Sequence, residues 1–134
     1  GDAGEVIVSQ ADGAGSVKTW LGTDPLSGKL MTGLVPPAAG RFVPQPLVSE
    51  SVITDDQWHH IGFTWDGSYR ILYVDGAEVA KDTAPQNPLK SADGGMNIGA
   101  GKNLEAGTFF SGLIDDVRIY NKALSGDEIA ALAQ

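Results

Sequence analysis

The sequence contains no cysteine, which excludes disulfide bonds and thiol catalysis. Basic residues are also scarce, because 9 Lys and Arg stand against 17 Asp and Glu and give a formal net charge of −8. Nucleic acid and anionic membrane surfaces bind through basic patches, so both are poor candidate partners. No apolar run approaches the roughly 20 residues that cross a bilayer, and the sequence predicts no membrane insertion.

Glycine and proline, in contrast, are frequent, with 18 and 7 residues among 134. They separate many short hydrophobic runs, a pattern typical of an all-β protein with frequent turns. The length suits a single domain, residues 1–134, that is large enough to bury a hydrophobic core.

The best-defined pattern lies in residues 58–82. Three short segments rich in aromatic and β-branched residues are separated there by Asp-Gly pairs at positions 66–67 and 75–76. Asp-Gly favours hairpin turns because such turns need positive φ, so the spacing predicts a three-stranded antiparallel meander. In the first two of these strands both faces are substantially apolar or aromatic, and this pattern predicts central strands rather than edge strands.

Further strands are predicted on both sides of the meander, and proline-rich loops are predicted at residues 35–46 and 83–95. Ser125 followed by Glu128 is typical of a capping box and predicts a short C-terminal helix. The other predicted strands cover residues 5–9, 17–22, 29–34, 47–49, 96–99 and 113–120.

Three blocks carry a resemblance to a known family. They are residues 58–67 (WHHIGFTWDG), 72–76 (LYVDG) and 112–125 (GLIDDVRIYNKALS). In this order and spacing the blocks resemble the signature of laminin-G-like, concanavalin-A-like domains. The resemblance implies an all-β jelly-roll antiparallel β-sandwich with a short C-terminal helix. It is less specific for function, since the family includes lectins, adhesion modules, carbohydrate-binding modules and structural domains.

One departure from the family concerns its first strands. Members usually carry further strands before the position that matches Glu5, including one beside the last long strand, and the chain does not supply them. A sheet edge would then lie open unless another chain covers it. We therefore expect a homo-oligomer, with strand addition across a dimer.

Carboxylates argue against hydrolase activity. A retaining glycosidase needs two carboxylates roughly 5–5.5 Å apart on one face, whereas Asp115 and Asp116 are adjacent and point to opposite faces of the predicted strand. Asp115 is expected at the edge of the core, where its carboxylate either accepts loop hydrogen bonds or binds a structural calcium ion. Asp116 is expected to pair with Arg118 on the outer face. No resident cofactor is predicted.

The histidines and aromatic residues supply the candidate binding residues. His59 and His60 are adjacent on a strand and cannot easily share a metal ion, so both are expected to be structural, with His60 the better binding candidate. An aromatic sheet face can stack on sugar rings while polar neighbours hold the hydroxyl groups. Trp58 and Trp65 are expected in the core, and Trp20 either there or near the binding face. The predicted ligand-binding face comprises His60, Thr64, Arg70 and Tyr73.

The resemblance therefore implies a noncatalytic, extracellular binding module for carbohydrate or for a protein surface. A structural or assembly domain without a small ligand remains the alternative. A sugar-active enzyme is a third possibility, and the lack of paired carboxylates on one strand face argues against it.

Overall fold

The computed structural model of the protein describes residues 4–11, 17–34, 45–83, 95–101, 104 and 106–134. Within them, short runs of β-branched and aromatic residues form strands wherever a neighbouring run can pair with them. The predicted jelly-roll β-sandwich is confirmed. Its elements are β1 (Val6–Ala11), β2 (Val17–Thr23), β3 (Lys29–Thr32), β4 (Leu47–Val52), β5 (Ile61–Trp65), β6 (Arg70–Val74), β7 (Ala77–Asp82), β8 (Met96–Ile98) and α1 (Gly126–Leu132).

One sheet contains five antiparallel strands in the order β4-β3-β2-β1-β8. Its β2–β3 hairpin was predicted, and its turn is closed by a hydrogen bond from Asp24 N to Lys29 O of 2.8 Å. Gly28 in this turn has φ of +67° and lies so close to Thr54 that a β-carbon would be 2.3 Å from the threonine Oγ1. Only glycine fits at this point of the hairpin.

The other sheet is the predicted meander, in the order β5-β6-β7. The turn between β6 and β7 has Asp75 and Gly76 at φ of +51° and +82°, as the Asp-Gly pair requires. The prediction of a central position is wrong for β5, however, because β5 forms an edge of this sheet. Apolar residues on both faces of a strand indicate that both faces are buried. Such burial does not require a neighbouring strand at each edge.

The core lies between the two sheets. Inward side chains of the larger sheet meet those of β6, and the Arg70 side chain at the start of β6 is buried as well. Trp20, Phe63 and Phe110 are half-buried and pack against it. The central residues are Ile7, Val8, Leu30, Leu72 and Val74.

Helix α1 packs on the outer face of the three-stranded sheet. Its capping box was predicted and is confirmed, since Ser125 Oγ accepts the N–H of Glu128 at 3.2 Å and the Glu128 carboxylate accepts the N–H of Ser125 at 2.8 Å. Ile129 is buried, and its side chain would lie 3.8 Å from a β-carbon placed on Gly62. Ile129 thus lies over Gly62 at a distance that would be an ordinary van der Waals contact for a β-carbon there.

The predicted loops at 35–46 and 83–95 lie for the most part outside the described residues. Within the part of the chain that the structure describes, no helix has the length and apolar character needed to cross a membrane.

Candidate functional site

The edge of β5 carries backbone groups that the sheet does not use. Asp75 N donates to His60 O at 2.7 Å, and Ile61 is aligned with Val74. Because antiparallel pairs alternate between bonded and non-bonded, the peptide groups of Ile61, Phe63 and Trp65 point away from β6. Within the described residues no backbone hydrogen bond outside the sheet reaches them, so in this part of the chain they form a free edge with the donors and acceptors of three residues.

A cleft of about 1090 Å³ runs beside this edge and continues between the two sheets. Its inner wall is apolar, and the Trp20 and Phe63 rings meet there edge to face with centroids 6.3 Å apart. The volume lies at the upper end of the range found for ligand pockets. The wall includes Trp20, Leu21, Ile61, Phe63, Trp65 and Phe110.

Residues 113–120 form the opposite wall, and the prediction that they form a strand is wrong. Leu113 is 77% exposed and Ile119 is 61% exposed, so these two side chains do not pack on the core. Asp116 has φ of +52°, which interrupts an extended backbone. Asp115 Oδ1 accepts the N–H of Asp116 at 2.8 Å. Asp115 was expected at the edge of the core, but it is exposed.

Two buried nitrogen atoms belong to residues that line the cleft. Trp65 Nε1 and His60 Nδ1 are enclosed, and neither has a hydrogen-bond partner within the described ranges. A buried polar atom without a partner costs free energy, and both nitrogens are enclosed by the chain itself. The cleft is thus apolar with isolated polar positions, as ligand sites commonly are.

Carboxylates at the rim of the cleft accept hydrogen bonds from other groups of the chain. Asp66 Oδ1 accepts the N–H groups of Tyr69 and Ser68, both at 2.8 Å, and these bonds lower the pKa of Asp66. At Asp75, burial raises the pKa, but hydrogen bonds from His59 and from the N–H of His60 outweigh it and the pKa is lowered. Both groups are held as carboxylates.

His59 links two of these acids. Its Nδ1 lies 2.8 Å from Asp75 Oδ2 and its Nε2 lies 2.9 Å from Asp55 Oδ1. Carboxylates are acceptors only, so both ring nitrogens must donate and the ring is an imidazolium. The bonds to Asp75 and Asp55 accordingly raise the pKa of His59. Its structural role was predicted, and its carboxylate partners were not.

The predicted ligand-binding face is not an open surface. Thr64 and Tyr73 share the outer face of the sheet, but both are buried, Tyr73 with 3% of its surface exposed. Helix α1 covers this face beside Gly62 and Tyr73. His60 directly precedes β5, the strand that contains Thr64, and it lines the cleft.

Arg70 was wrongly grouped with these residues. It pairs with Trp65 in the sheet register and therefore lies on the inner face, with 1% of its surface exposed. Its guanidinium donates to both oxygens of Asp82, and Nη1 donates to Leu34 O at 2.7 Å. The even-numbered position of Arg70 in β6 already places it opposite Tyr73.

Two further sequence predictions have mixed outcomes. Trp58 is 66% exposed, so the expectation of a core position is wrong for it, whereas Trp65 is half-buried. Arg118 pairs with Asp116 as predicted, with Nε to Oδ1 at 2.9 Å. Over the described ranges, no three His, Asp or Glu side chains form a group that could hold a metal ion.

The sequence analysis missed the residues that matter most at this site, the backbone groups of residues 61–65. A signal was present, because these residues carry no charge whereas residues 77–82, at the other edge of the same sheet, include Glu78 and Lys81. Edge strands are commonly protected by such charges. An uncharged edge strand therefore indicates an edge that another segment covers.

The chain resembles an S-layer domain-containing protein from Clostridium thermocellum with 26% identity and a TM-score of 0.48, over 96% of this chain and 64% of that chain. It thus spans less than two thirds of that structure. No curated protein shows a significant match.

A laminin G family model, described as the concanavalin A-like lectin/glucanases superfamily, matches residues 2–130. This match covers nearly the whole chain, and it agrees with the two antiparallel sheets and the C-terminal helix described above. The chain is therefore a member of the laminin-G-like family of the concanavalin A-like lectin/glucanase superfamily.

Proposed function

We propose that this domain is a noncatalytic extracellular binding module, and that its ligand is a polypeptide held in the cleft beside β5. One observation carries the proposal. The peptide groups of Ile61, Phe63 and Trp65 face a cleft with apolar walls and are not used by β6. A free strand edge recognises polypeptide through main-chain hydrogen bonds, and apolar pockets beside it accept alternate side chains.

The outer face of the sheet supports polypeptide over carbohydrate. Sugar rings stack on exposed aromatic faces, with polar groups nearby for their hydroxyls. Tyr73, the aromatic residue predicted for this role, is buried where helix α1 packs. A sugar would have to displace Ile129 and its helix to reach this ring.

The rim carboxylates support a noncatalytic role. A glycosidase needs one carboxylic acid with a raised pKa to protonate the leaving group. Asp66 and Asp75 have lowered pKa values instead, and their oxygens are held by hydrogen bonds within the chain. These two groups are suited to fixing turns and less suited to donating protons.

The extracellular location is part of the same proposal and rests on the family to which the chain belongs. The net charge of −8 is compatible with it but does not determine it. Detection of the full-length protein outside intact cells, by surface labelling, tests the location separately from the ligand.

The ligand class is tested by screening the same protein against a glycan array and a displayed library of random heptapeptides. Selected probes are then titrated into ¹⁵N-labelled protein. We expect selected peptides to shift the amide signals of Ile61, Phe63 and Trp65 more than those of β7. Binding of a glycan without any peptide that shifts these signals would overturn the proposal, and so would peptides that shift only β7.

An assembly role is the second candidate function. The observation that favours it is the absence of charge in residues 61–65, so that two copies of β5 could approach edge to edge without local repulsion. The expected homo-oligomer would form in this way. The net charge of −8 on each copy opposes this association.

A further inference from the structure

We infer that His59 is a pH-sensitive switch that holds helix α1 on the outer face of the three-stranded sheet while both ring nitrogens carry protons, and that loosens the helix when one proton leaves. The switch lies between the turn after β6 and the C-terminal helix. It does not depend on what the cleft beside β5 binds. Three observations support it: the two contacts of the ring, the packing of the turn on the helix, and the single buried side chain of the helix.

The first observation is the position of the His59 ring, which is mostly enclosed, with 17% of the side chain exposed. Its nitrogens lie 2.8 Å from Asp75 Oδ2 and 2.9 Å from Asp55 Oδ1. A neutral ring has one N–H, so it can donate to one of these carboxylates and presents a lone pair to the other. The bond that remains also loses the attraction between opposite charges. Loss of one proton therefore weakens the link between the loop before β5 and the turn after β6.

The charges that act on His59 are those of Asp55 and Asp75. His60, when it is protonated, acts on Asp75 as well. Because hydrogen bonds to the two carboxylates raise the pKa of His59, the link is intact below about pH 6.5 and weakens as the pH rises through the raised pKa.

Neighbouring segments carry charges that are paired with each other. Arg118 pairs with Asp116, and Lys122 pairs with Glu128 of α1 at 3.1 Å. Side chains of these types have ordinary pKa values well below 6 or well above 9. They keep their charge across the range in which His59 changes its own.

The second observation is that the turn held by His59 is part of the surface on which α1 packs. Asp75 and Gly76 have φ of +51° and +82°. A β-carbon on Gly76 would lie 3.1 Å from Ala130 Cα and 3.3 Å from Ala133 Cβ, so the helix packs directly on this turn. A change in bonding at the Asp75 carboxylate is therefore one residue away from the contact with the helix.

The third observation is the small buried part of α1. The helix lies entirely within the described residues, and of its seven residues only Ile129 is buried, next to Gly62 and Tyr73. A helix of this length is marginal in water without tertiary packing. A modest weakening of the turn beneath it is therefore enough to shift α1 between docked and undocked forms, and undocking uncovers Tyr73.

The test is a titration of the full chain, labelled with ¹³C and ¹⁵N, between pH 5.5 and pH 8.5. The ¹³Cε1 shift of the His59 ring follows its protonation. Hydrogen exchange follows the helix at the amides of Ile129 and Ala133, which donate to Ser125 O and Ile129 O. We expect the protection factors of these amides, corrected for the intrinsic exchange rate, to fall about threefold with the midpoint of the His59 titration.

The two Asp-Gly turns of the sheet supply a matched pair of variants. Asp75→Asn removes the charge at the turn on which α1 packs, and it should cause the threefold loss of protection already at pH 5.5. Asp66→Asn makes the same change at the other turn, where no described atom apart from the chain neighbours lies within 4 Å of a β-carbon placed on Gly67. It should leave the protection of the helix unchanged. His59→Gln should abolish the pH dependence.

Constant protection of Ile129 and Ala133 while the His59 ring titrates would overturn the inference. A Tm that changes with pH while the helix keeps its protection would also overturn it, because His59 would then stabilise the sheet without holding the helix. Equal losses of protection in Asp75→Asn and Asp66→Asn would have the same meaning. If His59→Gln fails to fold, the titration of the unchanged chain decides. These outcomes leave the polypeptide proposed for the cleft unaffected.

Discussion

His59 joins the loop before β5 to the turn after β6. Its ring donates to Asp55 on one side and to Asp75 on the other, and the second oxygen of Asp75 accepts the N–H of His60 at 2.9 Å. One side chain thus fixes both the start of the edge strand and the Asp75-Gly76 turn. Because this arrangement requires an imidazolium, its contribution to stability depends on pH.

The first prediction is the pH dependence of this contribution. The raised pKa of His59 means that the stabilisation is fully present below the unfolded value of about 6.5 and is lost as the pH rises through the folded pKa. His59→Ala should therefore lower Tm by roughly 3 °C at pH 5.5 and by much less at pH 9. Thermal unfolding by circular dichroism across this range measures the difference.

The control for this prediction is His60→Gln, which removes the other histidine but no ion pair and should leave the pH dependence in place. Below about pH 4 the effect of His59→Ala should shrink again, since Asp55 and Asp75, whose pKa values are lowered, then take up protons. An equal loss of Tm at every pH would contradict the ionic role of His59.

The second prediction concerns Arg70, which is buried and joins Leu34 O to Asp82. Removal of one partner of a buried ion pair leaves the other partner uncompensated, and Arg70→Ala should lower the free energy of unfolding by roughly 3 kcal/mol. Urea denaturation measures this loss. Arg118→Ala removes an exposed arginine from a similar pair and should leave the midpoint almost unchanged.

A second variant of Arg70 distinguishes a structural role of this residue from the predicted ligand-binding role. A conservative variant, Arg70→Lys, retains the charge but cannot reproduce the forked hydrogen bonds. It should lose stability without a specific loss of ligand affinity in the fraction that remains folded. A specific loss of affinity at unchanged stability would restore Arg70 to the ligand site.

At the scale of elements, the short helix α1 decides which face of the meander is open. Its seven residues bury Ile129 against the outer face of β5 and β6, next to Gly62 and Tyr73. Such a short helix is marginal alone, so its position depends on this packing and on its capping box. The helix covers the outer face and leaves the edge of β5 as the accessible part of the strand.

The third prediction follows from the capping box. Ser125→Ala removes the acceptor for the N–H of Glu128 and should destabilise the protein by about 1 kcal/mol. The effect should be local as well as global, because a frayed helix uncovers Gly62 and Tyr73. Hydrogen exchange of these two amides should become faster.

Ser68→Ala is the control for the capping box, since it changes an exposed serine in the loop between β5 and β6 and leaves the helix untouched. Faster exchange at Gly62 and Tyr73 in both variants would show that the helix does not protect this face specifically.

At the scale of the whole molecule, two features act in opposite directions. An uncharged edge strand and an apolar cleft favour association with another chain, whereas the net charge of −8 keeps like molecules apart. The net charge therefore opposes association with a second copy at neutral pH. It also makes self-association sensitive to pH and salt.

The fourth prediction is the mass of the protein in solution. The homo-oligomer expected from an open sheet edge is opposed by the net charge of −8, so at pH 7 and low salt we expect a monomer by light scattering. The share of dimer should increase as the pH approaches the isoelectric point of about 4.4. High salt at pH 7 screens the repulsion without changing protonation and should act in the same direction. A stable dimer at pH 7 in low salt would favour the assembly role.

Local features were predictable from the sequence because their physical causes are local. The Asp75-Gly76 turn follows from the need for positive φ, and the start of α1 follows from two side chains three residues apart. The alternation of residues 61–65 and 70–74 predicted the strands. The family was likewise predicted from local features, the three blocks at residues 58–67, 72–76 and 112–125.

The site was not predictable in the same way, because it depends on which segments meet. Residues 113–120 alternate like a strand, but a strand forms only beside a partner, and Asp116 instead takes a positive φ. The covering of Tyr73 by α1 and the free edge of β5 likewise arise from contacts between distant parts of the chain. The sequence by itself determined the turns, strands and charge of this protein, whereas the tertiary structure decided which edge and which face remained open, because exposure is a property of the packed elements together.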